Sequence, residues 1–255
     1  MGAIYPDLEG RAVLITGGGS GIGAALVEAF ARQKSRVAFI DVNGEAASAT
    51  AARIARDVGV EPAFRIVDLR DIGAAQAVAA ELAKETGAFR ALINNAGDDS
   101  RHEWRSVTPQ LWDERFATNV RHQFFMAQAV APAMAEAGGG AIINLGSISW
   151  MFGAAGLIAY TTGKSAIAGL TKSLARELGP LTIRVNAIAP GMIWTEKQIA
   201  RAKADDPAKF ERYLDRQCIK EHLDAEDVAR LALWLASDES RRCAGQTYIV
   251  DGGVV

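Results

Sequence analysis

Residues Arg11 to Ala24 read R-A-V-L-I-T-G-G-G-S-G-I-G-A, and this stretch decides the fold. The apolar run ending at Thr16 predicts a buried strand, and the apolar residues Leu26, Val27 and Phe30 beyond it recur at helical spacing. Between them, Gly19, Gly21 and Ala24 fit G-x-G-x-x-G/A, while Gly17, Gly21 and Gly23 fit a looser T-G-x-x-x-G-x-G. Missing side chains let the backbone turn sharply and approach a pyrophosphate. The helix that follows offers that anion unpaired N–H groups and the positive end of its dipole. A merely flexible turn would use the same glycines. The strand before them and the helix after them make dinucleotide binding the stronger reading.

Working outward, a second apolar strand, R-V-A-F-I, ends at Asp41, where an acid is expected to hydrogen-bond the adenosine ribose. Val42 and Asn43 follow it, with no arginine for a 2′-phosphate, so NAD is favoured over NADP. Asp41 as the N-cap of the next helix is compatible with that role. An alanine-rich helix, Glu45 to Val58, precedes the strand A-F-R-I-V and Asp68, which can cap a helix or meet the adenine edge. Asp71 reads as a helix cap. The next strand, A-L-I-N-N-A-G, spans Ala91 to Gly97, and Asn94 and Asn95 either brace neighbouring strands or line the cofactor crevice. This β-α-β-α-β-α-β alternation predicts a doubly wound Rossmann fold: a seven-stranded parallel sheet with helices on both faces and its ligand edge at the strand carboxyl ends.

The polar segment Asp98 to Arg105 follows one such strand end. It is an ordinary exposed loop or, at that crevice, a wall for a polyhydroxylated substrate. A long helix is expected over Gln110 to Ala137, with Asn119 interrupting its apolar face. The strand A-I-I-N-L-G-S then delivers Ser147, and Y-T-T-G-K places Tyr160 and Lys164 four residues apart, on one helix face. A phenol is a poor base because its pKa lies near 10, and an adjacent cation favours the phenolate. The spacing predicts a device that moves a proton on or off an alcohol oxygen, with Ser147 bonding the same oxygen. Gly179-Pro180 stops the helix, and I-R-V-N-A-I-A-P-G is the sixth strand, with Ile193 and Thr195 just beyond. From about residue 192 to 223 charges are frequent, Pro207 interrupts, and Trp194 and Tyr213 are the large apolar groups; this segment is read as a substrate lid. A helix from Asp224 to Ala236 and a seventh strand, Q-T-Y-I-V-D-G-G, complete a single domain over residues 1–255.

Composition narrows the partners. The 255 residues are 49% hydrophobic with a net charge of −2, and no basic stripe suits nucleic acid or an anionic membrane. No apolar run reaches the roughly 18 residues of a membrane span. Cys218 and Cys243 lack metal-ligand spacing, and His102, His122 and His222 form no metal-binding pair, so no metal is expected. Without a signal peptide, the expected location is the reducing cytoplasm.

Taken together, T-G-G-G-S-G-I-G, N-N-A-G, the Asn119 helix, Ser147, Y-T-T-G-K, P-G-M-I-W-T and the terminal V-D-G-G resemble the short-chain dehydrogenase/reductases over essentially the whole chain. That resemblance implies Tyr160 as general base, Lys164 lowering its pKa and holding the nicotinamide ribose, and Ser147 orienting the substrate oxygen. Asn119 would hold a water in the proton relay, and Ile193 and Thr195 would meet the nicotinamide carboxamide. The expected NAD-binding set also takes in Gly17, Ser20, Gly21, Ile22 and Gly23 of the loop. Asp41, Asp68, Leu69, Asn95, Ala96 and Gly97 from the later strand ends complete it. A homotetramer is implied as well. The stretches A-I-Y-P-D-L, N-A-G-D-D-S-R-H, L-G-S-I-S-W and R-Q-C-I resemble the bacterial sugar 1-dehydrogenases of this family, which oxidise an aldose to its lactone. A sugar would meet Asp98, Asp99, Ser147, Ser149, Trp150, Tyr160 and Trp194: carboxylates for hydroxyls, an indole for the C–H face. Other secondary alcohols (a polyol, a steroid, a 3-oxoacyl chain), a turnover-free dinucleotide-binding regulator and a structural subunit are the alternatives.

Overall fold

The structure, a computed structural model, describes residues 2–206 and 208–255; Pro207, expected to interrupt the lid, lies outside them. Seven strands form one sheet: β1 (Ala12–Thr16), β2 (Arg36–Asp41), β3 (Ala63–Ile66), β4 (Phe89–Asn94), β5 (Gly140–Leu145), β6 (Ile183–Pro190) and β7 (Thr247–Val250). Their order is β3-β2-β1-β4-β5-β6-β7, and every pairing is parallel. The Rossmann-type α/β architecture expected from the alternation is therefore present.

Both faces of the sheet are covered, which is why β1 reads as an unbroken apolar run and not as an alternating one. Val13 and Ile15 pack on one side against Leu26, Val27 and Phe30 of α1 (Gly21–Arg32), Ile54 of α2 (Gly44–Val58) and Val228 of α9 (Ala225–Ala236). Leu14 turns to the other side, where α3 (Ile72–Thr86), α5 (His122–Glu136) and α6 (Ile158–Leu178) contribute Leu82, Met126, Met134 and Leu174. Fully burying one such aliphatic side chain contributes roughly 1.5–3 kcal/mol, so packing on both faces holds the sheet against its helices.

Helix ends follow local chemistry. Asn43 caps α2 by accepting from the Ala46 N–H, so the capping role weighed for Asp41 falls to its neighbour. Asp71 caps α3 as expected, and Asp224 with Asp227 closes a capping box on α9. The long helix expected over Gln110 to Ala137 is interrupted. It consists of α4 (Pro109–Phe116), a π-helical turn over Ala117–Arg121 carrying Asn119, and α5. Such wide turns recur at functional sites. The segment after Trp194 forms α7 (Glu196–Asp205) and α8 (Lys209–Arg216). Among the described residues, no helix is long and apolar enough to cross a membrane.

Candidate active site

The strand order reverses beside β1, whose neighbours β2 and β4 send their crossovers to opposite faces, and a cleft opens at the carboxyl ends of these strands. It encloses about 1790 Å³ and is walled by the glycine loop, the β4 and β5 ends, the start of α6 and the segment after β6. Gly17 and Gly21 have φ of +68° and +53°, a left-handed conformation that glycine adopts freely. A Cβ at Gly23 would stand 1.7 Å from the Gly17 carbonyl oxygen, so the first turn of α1 presses on the loop as closely as backbones allow. Ser20, Gly21 and Ile22 line the cleft where α1 begins. This bare-backbone cradle at a helix N-terminus suits a pyrophosphate.

The walls hold the loop in shape. Asn95 donates from Nδ2 to the Thr16 and Gly17 carbonyls, 3.0 Å each, while Thr16 Oγ1 accepts from the Asn95 and Ala96 N–H groups. Asn95 thus both braces the strands and lines the cleft, with Ala96, Gly97 and Leu69 beside it. Asn94 only braces: it is fully buried and donates to Asn144 Oδ1 and the Gln123 carbonyl. Asp41 Oδ2 accepts from the Gly19 N–H at 2.7 Å. Asp68 also lines the cleft, but Arg70 takes its carboxylate in a two-pronged hydrogen bond and holds the carboxyl below its usual range.

At the other end, α6 begins after Leu157 and puts Tyr160 and Lys164 on its cleft face, next to Ser147 at the β5 end. Lys164 Nζ lies 5.6 Å from the centre of the Tyr160 ring and donates to the Leu145 carbonyl at 2.7 Å. Ser147 Oγ accepts from the Ser149 N–H at 3.1 Å. Asn119 is fully buried; its Oδ1 accepts from the Asp98 N–H, and its Nδ2 donates to the Arg115 and Asp98 carbonyls. Its amide therefore ties the π-turn to the β4 loop.

The electrostatics correct one expectation. Burial pushes the Tyr160 phenol up, the Asp99 charge adds to that, and a hydrogen bond with Ser147 pulls it down. Burial likewise pushes the Lys164 amine down to about 8, against the pull of Asp99. The protein alone does not make the phenol acidic, because desolvation and the Asp99 charge outweigh the hydrogen bond with Ser147.

Four substrate-binding expectations also change. Asp98 pairs with Arg115 and accepts from the Ser100 N–H and Oγ. Asp99 accepts from Gln198 Nε2 at 2.5 Å and Arg201 Nη1 at 3.0 Å, with Lys197 Nζ at 3.5 Å. Both carboxylates line the cleft, but their oxygens are already occupied by cations of α4 and α7. Trp150 does not line the cleft; its short helical turn leaves it 36% exposed on the surface. Trp194 reaches the cleft, but its ring packs at a tilt against Phe210 of α8 and His222, with ring centres 3.9 and 4.0 Å away. Ser149 lines the cleft, buried, with its Oγ unpartnered among the described residues. Ile193 and Thr195 both line the cleft; Ile193 bridges to Leu223, and Thr195 caps α7.

The sequence reading missed Phe152 and Arg216, which line the cleft together with Tyr213 of the expected lid, the Arg216 guanidinium lying 4.6 Å above the Phe152 ring. A lone apolar Phe152 five residues past Ser147 gave no signal of this.

The comparisons with known proteins place the chain. The family model described as enoyl-(acyl carrier protein) reductase, one of the short-chain dehydrogenase/reductase models, matches residues 17–255. The chain belongs to the short-chain dehydrogenase/reductase family. It is 49% identical to the "Probable galactose dehydrogenase GalD" of Rhizobium meliloti (strain 1021), over 98% of this chain and 97% of that one. It is 45% identical to the D-xylose 1-dehydrogenase of Caulobacter vibrioides (strain NA1000 / CB15N), over 98% of each. The crystal structure of levodione reductase superposes with a TM-score of 0.89 at 28% identity, over 96% of this chain and 97% of that one. As a family member with these relatives, the protein is a dehydrogenase acting on CH–OH donors and using a nicotinamide cofactor.

One buried base beside the site makes stability depend on pH. His122 is fully buried, and burial and then the Lys164 charge push its imidazole down to about 3 from 6.5. The unfolded chain takes up this proton near 6.5 and the folded one does not, so stability is full above that pH and falls as the pH drops toward 3. This group alone is expected to remove about 2 kcal/mol between about pH 7.5 and about pH 5. Urea midpoints at the two pH values check it: the His122→Phe variant should lose distinctly less stability than the parent over that interval.

Proposed function

We propose that the protein oxidises the C1 hydroxyl of an aldose, a pentose or hexose, to the lactone with NAD. The observation that carries this reading is the convergence of Ser147, Tyr160 and Lys164 on the inner end of a cleft whose outer end is the glycine cradle. The names of its relatives, a galactose dehydrogenase and a D-xylose 1-dehydrogenase, supply the sugar.

The residues fit the dinucleotide. Gly17, Ser20, Gly21, Ile22 and Gly23 hold the pyrophosphate, and Asp41 meets the ribose hydroxyls. Leu69, Asn95, Ala96 and Gly97 flank the adenosine and ribose; Ile193 and Thr195 take the nicotinamide end. When bound, the cofactor supplies the two-electron acceptor. At the reacting carbon, Ser147 orients the substrate hydroxyl, and Tyr160 takes its proton as the C–O bond gains carbonyl character. Lys164, anchored on the Leu145 carbonyl, keeps a positive charge near the phenol, and this charge favours the phenolate once the cleft is filled. Asn119 joins the relay by fixing the π-turn against the β4 loop, and α7 and α8 serve as the lid, its polar underside suited to hydroxyls.

NAD over NADP rests on charge. A 2′-phosphate beside Asp41 would meet a carboxylate. The two arginines lining that end are already engaged, Arg53 with Glu28 and Arg70 with Asp68 and Glu114. A homotetramer in the cytoplasm completes the reading, the exposed Phe124 of α5 and Ile249 of β7 being apolar surface for subunit contacts.

Turnover across D-xylose, D-galactose, L-arabinose, a polyol and a steroid alcohol, followed by absorbance of the reduced nicotinamide, tests the reading; an aldose is expected to give the highest kcat/KM, and a polyol or steroid in first place would overturn it. On the best substrate, Tyr160→Phe should lower kcat by about 10²–10⁴-fold with NAD affinity unchanged. Asp41→Ala should raise the NADP-to-NAD ratio of kcat/KM by about tenfold or more, as one like-charge contact of about 1.4 kcal/mol is removed.

A further inference from the structure

Gln123 is a buried polar side chain that the mechanism above leaves unused. It lies at the start of α5, one turn past Asn119, with no measurable exposure. Its Nε2 donates to the Asn119 carbonyl at 3.1 Å and to the Leu145 carbonyl at 3.4 Å. The Leu145 carbonyl is the same oxygen that receives Lys164 Nζ at 2.7 Å. The Gln123 main-chain carbonyl is held in turn by Asn94 Nδ2, which also bonds Asn144 Oδ1 across β4 and β5. The two hydrogens of one carboxamide therefore span from the π-turn to the end of β5.

We propose that Gln123 is a positioning residue for proton transfer: its carboxamide clamps the π-turn that carries Asn119 to the carbonyl that anchors Lys164. The inference rests on the reading of Tyr160 and Lys164 as the proton-transfer pair. A carbonyl oxygen has two lone pairs, and at Leu145 one serves the lysine and the other faces Gln123. With both taken, the peptide plane that sets the ammonium's place is fixed from two directions. Leu145 is followed by Gly146 and then Ser147, so the same plane also sets the start of the serine's approach to the cleft. Burying an amide here carries a cost that an apolar side chain of equal length would avoid, since Gln123 Oε1 has no partner among the described residues. The donors on the opposite arm are what offset it.

Gln123→Met keeps the length of the side chain and removes both donors. Its expected effect is a fall in kcat of about tenfold, with the substrate KM and the NAD dissociation constant within about threefold, because positioning of a general base acts on the chemical step. Gln123→Glu, which keeps the polar shape but loses the donors, should fall at least as far. Single-turnover rates then separate clamp from scaffold: combined with Lys164→Met, Gln123→Met should add less than about twofold, since it acts through the lysine. A kcat within twofold of the parent in Gln123→Met, multiplicative losses in the double variant, or failure of both Gln123 variants to fold would each overturn the proposal. Lys164→Met alone tests the reading underneath: full turnover there would remove the proton-transfer pair itself, whatever Gln123 does.

Discussion

Parallel strands joined by right-handed crossovers must all end on one edge of the sheet, and wherever the order reverses, two adjacent crossovers leave in opposite directions and open a gap. In this chain the gap lies between β1 and β4. The glycine loop follows β1, Asn95 to Gly97 follow β4, and Ser147 follows β5, so residues 17 to 147 in sequence become neighbours around one cleft. The bonds of Asn95 to Thr16 and Gly17 are a local expression of that constraint, because they join the two strand ends on either side of the reversal. The site depends on the topology before it depends on any catalytic side chain.

Inside the cleft, desolvation is the larger electrostatic effect. It raises the Tyr160 phenol and lowers the Lys164 amine, moving two groups of similar ordinary pKa apart and favouring the uncharged form of each. A proton in the cleft is therefore held more tightly by the phenol, and less tightly by the amine, than in water. Small charges placed nearby then decide where it rests. Asp99 is one such charge, and its own ionisation, opposed by burial, is sustained by Arg201, Gln198 and Lys197 of α7. Helix α7 thereby contributes to the electrostatics at the phenol.

Much of this was legible in the chain. The strand-loop-helix context of Thr16 to Phe30, the i, i+4 spacing of Tyr160 and Lys164, and the caps at Asp71 and Asp224 are local, and local patterns survive in sequence. What was not legible depends on partners far along the chain. Asp98 and Asp99 looked like open carboxylates because Arg115 and Arg201 stand 17 and 102 residues away. Trp150 looked like a sugar platform because it follows Ser149, but only Ile148 and Ser149 of that short turn line the cleft, and Trp150 does not. The π-turn at Asn119 has no period of its own to detect. It lies between two ordinary helical stretches and differs only in the width of its turn.

The engagement of Asp98 and Asp99 changes how a sugar pocket must work here. Free carboxylates would bind hydroxyls strongly and would also place two uncompensated charges near a phenolate, raising its pKa further. Pairing each with a cation from a neighbouring helix offsets part of that field, although the Asp99 charge still raises the Tyr160 phenol. Arg201, itself half-buried, also donates to the Asp99 carbonyl, so the pair ties the β4 loop to α7 by two bonds. The cleft is then lined by neutralised ion pairs together with the Phe152 ring and the Arg216 guanidinium above it. Such a surface offers hydrogen bonds without net charge, and that is the combination a neutral, polyhydroxylated substrate needs beside a proton that must move at one atom.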